Sequence, residues 1–156
     1  MKYSVKLSHA VHILVFIHTA QGVPVTSDKI AESIHTNPGC VRQIMSLLRK
    51  ADLLKSITGH PRPELARNPE EISLLDVYKA VEGDKPLLHL DTHTNPECGV
   101  GVNIQLALQE FYDKVQKDAE DSMAGISLAD IIERFYQKVQ NLDVEFYKST
   151  VPAYIR

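Results

Sequence analysis

Three residues, His35 to Asn37, interrupt a run of helical periodicity, and the interruption limits what the surrounding stretch can become. Before it, a short segment opens at a polar cap, Thr26 or Ser27, and carries Ile30, Ala31 and Ile34 on one face. After it, Val41, Ile44, Met45 and Leu48 recur at the spacing of a second helix with one buried face. Leu53 and Leu54, a polar proline-rich hairpin and Leu65 follow. The first helix is too short to be stable alone and must dock its apolar stripe. Helix, tight turn, helix and two-stranded wing is the plan of a winged helix-turn-helix, a motif whose second helix enters the DNA major groove.

The free face of that second helix carries Asn37, Gly39, Cys40, Arg42, Gln43, Ser46, Arg49 and Lys50. Asn, Gln and Arg are the side chains that make bidentate hydrogen bonds to base edges. Periodicity alone fits a small helical subdomain with a solvated polar face equally well. Charge separates the two readings. The whole chain has a net charge of −3, but residues 1–67 hold nine Lys and Arg against four acids, a charge of +5. The remainder holds eight basic residues against sixteen acidic ones, a charge of −8. A basic half joined to an acidic half suits a DNA-binding head with a separate assembly or sensing body.

The rest of the chain reads as mainly helical with one small β wing. A first helix is expected from about Val5 to Thr19, with a broad apolar face, ended by Gly22 and Pro24. Helix two covers about Ser27 to Ile34. Helix three covers about Pro38 to Ala51, with Asn37 as its cap and Pro38 in the first helical position. The wing pairs Leu54 to Ile57 with roughly Glu64 to Ala66. Ser73 caps a short helix, Leu74 to Glu82, which Gly83 stops. Residues 84–99 read as irregular. A long helix from about Val100 to Ser122 bears a seam of Ile104, Leu108, Phe111 and Val115, spaced for packing against another helix in a dimer. Gly125 breaks it, and Ser127 with Asp130 opens a last helix carrying Leu128, Ile131, Ile132, Phe135 and Val139. Two domains are expected: a winged head over 1–83, and a loop, dimerisation helix and C-terminal helices over 84–156.

Several classes are excluded or left without support. No apolar run approaches the ~20 residues that span a bilayer. The N-terminus, MKYSVKLSHAVHILVFIH, lacks the small-residue cleavage pattern of a signal peptide, so a cytoplasmic protein with no membrane partner is expected. No GxSxG, HExxH or glycine-rich phosphate loop is present, and no catalytic residues are assigned. The two cysteines, Cys40 and Cys98, form no CxxC and suggest neither a disulfide framework nor a four-thiolate zinc site. His89, His93 and Cys98 share the irregular segment, but loop spacing fixes no geometry. No metal and no cofactor is therefore expected. Cys98 is the candidate redox sensor, since a thiol just before a helix N-terminus can have a depressed pKa. A small buried hydrophobe at a dimer seam is the alternative role for it.

The stretches KYSVKLSHAVHIL, SDKIAESIHTNPGCVRQIMSLLRKADLL and LARNPEEISLLDVYKAVEG together resemble the Rrf2 family of bacterial transcription regulators, the group of IscR-, NsrR- and CymR-like proteins, over nearly the whole chain. The resemblance implies a homodimer on a palindromic operator in double-stranded DNA, usually acting as a repressor. It places Asn37, Gly39 and Arg42 at the start of the helix that reads bases. It places His60 and Arg62 at the wing tip, which enters the minor groove in the family. With Ser27, Gln43 and Arg49 these make the expected DNA-binding set. The chain departs from the family in two places. The family wing is glycine-rich, whereas this one reads GHPRPE, shorter and stiffened by Pro61 and Pro63. Cluster-binding members carry three cysteines around the loop, whereas only Cys98 stands there in this chain, which excludes a three-thiolate iron–sulfur site within one chain. The rival reading is a metal- or thiol-sensing interaction module, derived from such a regulator, that no longer binds DNA. No residues announce an effector pocket, so the effector is open.

Overall fold

The computed structural model describes residues 4–20, 24–56 and 62–141. Their order is α1 (Lys6–Thr19), α2 (Ser27–Ile34), α3 (Pro38–Lys50), β1 (Leu54–Ser56), β2 (Pro63–Leu65), α4 (Leu74–Glu82), α5 (Gly99–Ala124) and α6 (Leu128–Gln140), with a 3-10 turn at Pro69–Glu71. This is a winged helix-turn-helix head with a long helix appended.

Each helix boundary in the head has a local cause. Thr26 Oγ1 accepts from the Lys29 amide at 3.3 Å and opens α2. His35 closes α2 in the left-handed region at φ 64°, and its amide is returned to the carbonyls of Ala31 and Glu32. Asn37 Oδ1 then accepts from the Cys40 amide at 2.9 Å and opens α3, with Pro38 supplying the first helical φ. Such a cap contributes about 1 kcal/mol. Asp52, at φ 57°, turns the chain out of α3 so that β1 runs back beside it. β1 and β2 pair antiparallel with Leu54 opposite Leu65, Lys55 opposite Glu64 and Ser56 opposite Pro63. Residues 57–61 of the wing, His60 among them, lie outside the described residues, whereas Arg62 lies within them.

The core sits where α1 crosses α3 and α4. Ile13, Leu14, Ile30, Val41, Leu48, Leu53, Ile72 and Val77 are all buried there. Leu128 and Ile132 from α6 belong to the same cluster. Their return is fixed by an isolated bridge between Ser73 and Ser127, in which the Leu74 amide donates to Ile126 O at 2.8 Å and the Leu128 amide to Ile72 O at 2.7 Å. The two serines are also reciprocal helix caps, Ser73 with Asp76 and Ser127 with Asp130.

Helix α5 is 26 residues, about 39 Å long, and none of its residues is buried. It touches the head through α4, where Lys79 Nζ lies 3.5 Å from Glu120. The irregular segment before it is held by the Leu87 amide, which donates to Gln116 Oε1 at 2.8 Å. Among the described residues, no helix is long and apolar enough to cross a membrane.

Candidate nucleic-acid interface

The polar surface of α3 divides into two strips. At about 100° per residue, Gly39, Gln43, Ser46 and Lys50 lie opposite the buried stripe of Val41, Ile44 and Leu48, and so face outward. Gln43, Ser46 and Lys50 are exposed. Arg42 and Arg49, seven residues apart, turn to the flank that faces α2 and the wing. Arg42 Nη1 donates to Ser27 Oγ at 3.3 Å, and Arg49 Nε donates to Ser56 Oγ at 2.8 Å. Arg62, just before β2, closes the far side of the same cleft.

The structure thus brings Ser27, Arg42, Arg49 and Arg62 together, and keeps Gln43 on the strip beside them. Asn37 is engaged differently. Its Oδ1 caps α3 and its Nδ2 donates to Cys40 Sγ at 3.3 Å, so a base contact there would compete with the cap. Gly39 serves that cap as well, because a Cβ at this position would meet Asn37 Oδ1 at 3.0 Å. Ser56 was not foreseen from the sequence. Its pairing with Arg49 depends on the left-handed turn at Asp52, and no residue pattern around Ser56 announces it.

The head's cations are not equivalent. Lys55 is paired with Glu64 across the wing at 3.5 Å. Arg67 donates to the carbonyls of Asp52 and Glu71 and lies 3.9 Å from Asp76, which makes it a brace inside the head. Among the described residues no ion pair is made by Arg42, Arg49, Lys50 or Arg62, so no neighbouring acid there neutralises their charge.

The expected seam on α5 is laid out as one face. Ile104, Phe111 and Val115 are exposed, Phe111 to 66%, and Leu108 is half-buried. Cys98 is exposed at the N-cap of α5, and Cys40 is half-buried on α3. His93 makes a 3.6 Å contact with Asp91, and His89 lies on the surface of the loop.

Comparison with known proteins places this geometry. The family described as "Rrf2: Iron-dependent Transcriptional regulator" matches residues 3–134. YwnA of Bacillus subtilis (strain 168), provisionally named an HTH-type transcriptional regulator, is 40% identical over 131 residues, which is 84% of this chain and 97% of YwnA. A solved structure provisionally described as a DNA-binding protein is also 40% identical and superposes with a TM-score of 0.67, covering 81% of this chain and 98% of that one. T. potens IscR is 25% identical, with a TM-score of 0.65 over 94% of this chain and 96% of its own.

Among the described residues, the iron named in that family description finds no matching donor set. Cys98 is the one thiol near α5, and the other, Cys40, sits on α3. Among the described residues no three His, Cys, Asp or Glu side chains converge as metal ligands.

Proposed function

Since the chain belongs to the Rrf2 family of DNA-binding, helix-turn-helix transcription regulators, we propose that it works as a homodimer that represses from a palindromic operator in the cytoplasm. The observation that carries this reading is the pairing of two surfaces on one chain. One is the α3 face with cations unmatched by acids, and the other is the bare apolar seam of α5. Ile104, Phe111 and Val115 stand in water with Leu108 half-buried beside them, which is unfavourable, and a second copy offers the matching seam. Two α5 helices side by side would set two α3 helices on one face of the duplex, about one helical turn or a multiple of it apart. The outward strip of Gln43, Ser46 and Lys50 would then address base edges, with the wing on the adjoining backbone and groove.

The test is selection of duplexes from a randomised pool by the full-length protein, with sedimentation of the protein alone and on the selected duplex. Two-fold symmetric sites, a dimer at micromolar concentration, and affinity that falls steeply with salt are expected. A dimer without salt-dependent affinity for any duplex at low ionic strength would instead support the interaction-module reading. A monomer at that concentration would sink the assembly proposed above.

A further inference from the structure

Arg42, Arg49 and Arg62 converge on one cleft of about 380 Å³, walled by Ser27 and Ser56 and floored by Met45. We propose that this cleft is a seat for a single phosphate group, and that Arg42 and Arg49 position the backbone of the nucleic acid rather than read its bases. The proposal rests on the DNA-binding reading above and assigns a specific role to part of that surface.

Three features lead to it. First, the arginines come from two different elements. Two lie on one flank of α3 and the third enters from the wing, so an anion held by all three would be fixed in depth and angle at once. Second, Arg42 and Arg49 are pinned by hydroxyls, at 3.3 Å to Ser27 and 2.8 Å to Ser56, and not by carboxylates. A neutral partner orients a guanidinium and leaves its charge whole. Arg49 spends only Nε on Ser56, which leaves its two terminal nitrogens for a bidentate contact with two anion oxygens. Third, among the described residues no acidic side chain lines the cleft; Asp28, the nearest acid along the chain from Ser27, is not part of its wall. Three like charges gathered without a counter-charge repel one another, and a tetrahedral oxyanion relieves that repulsion. The amino end of α2, which opens at Ser27, adds partial positive charge at the same place.

The shared chemistry is a phosphoryl oxyanion, whether a backbone phosphate or free inorganic phosphate, and the experiment separates the two. A duplex selected by the full-length protein is remade with one neutral methylphosphonate at a time. One position per half-site should weaken wild-type binding by roughly tenfold, and should weaken Arg42→Ala no further, because the partner group is already gone. Arg42→Ala and Arg49→Ala should lower affinity for the selected and a scrambled duplex by the same factor, and reduce the salt slope by about one. Loss of preference for the selected duplex in Arg42→Ala, with scrambled binding unchanged, would make Arg42 a base reader and overturn the seat. Should no duplex bind at low ionic strength, the DNA-binding reading fails, and the seat is judged alone. Inorganic phosphate should then raise the melting temperature of the wild type above that in chloride of matched ionic strength, and leave Arg42→Ala and Arg62→Ala unmoved. Equal shifts in all three proteins would overturn it.

Discussion

Arg67 and Arg42 carry the same charge on the same basic head, and nothing in their immediate sequence tells them apart. The fold does. Arg67 spends its donors on two main-chain carbonyls and Asp76, whereas Arg42, among the described residues, donates to a serine alone. Residue type and helical phase were enough to place Arg42 on the polar side of α3. The choice between outward strip and cleft depends on where β1 returns, which is a tertiary fact. His12 gives a prediction at this scale. It is half-buried against α2, with Nε2 2.9 Å from Ser33 Oγ. Burial first, and the neighbouring His9 second, hold its pKa below the ordinary 6.5. The folded chain therefore binds fewer protons than the unfolded chain just below pH 6.5. Stability is whole above that pH and falls as the pH drops toward the lowered folded value. Denaturant midpoints taken from about pH 7.5 to about pH 5 should decline in the wild type and decline less in His12→Asn. Parallel profiles would show that His12 takes up its proton without penalty.

The helices were legible because their ends are written in side chains. Asn37 followed by Pro38 marks α3, Ser73 with Asp76 marks α4, and Ser127 with Asp130 marks α6. The observed starts agree within a residue. The wing was less legible. Pairing was expected for Leu54 to Ile57 with roughly Glu64 to Ala66; among the described residues Leu54–Ser56 joins Pro63–Leu65, so the second strand starts one residue earlier, and Ile57 lies outside them. Pro63 lacks an amide donor and reads as a breaker, yet an edge strand tolerates it where no ladder donor is required. Helix α5 is longer at both ends than its apolar seam suggested, running from Gly99 to Ala124. That seam carries the prediction at this scale. Leu108→Asp and Phe111→Asp should each give monomers by sedimentation at micromolar concentration. Their helical circular dichroism should stay close to wild type, because neither side chain is part of the core. Variants that stay dimeric would place the contact between copies elsewhere.

At the scale of the whole molecule, the head is not closed by its own N-terminal half. Leu128 packs against a core built by α1, α3 and α4, and the Ser73–Ser127 bridge ties α6 to the start of α4. Composition and charge showed a basic head and an acidic remainder. They could not show that α6 comes back, because an amphipathic helix does not name the surface it will cover. Leu128→Ala should therefore destabilise the DNA-binding head itself, by about 2–5 kcal/mol in denaturant unfolding. A loss well under 1 kcal/mol would mean that α6 only leans on the head. The bridge also sets an order of events during synthesis. Domains tend to fold as units while the chain emerges from the ribosome. A nascent chain out as far as Gly125 has every residue of α3 and of the wing, but still lacks the side chains that cover Ile72. The core beneath α3, the helix proposed to read DNA, is complete only once Ile132 has cleared the exit tunnel, so a chain stalled before that point would carry α3 on a core still missing Leu128 and Ile132.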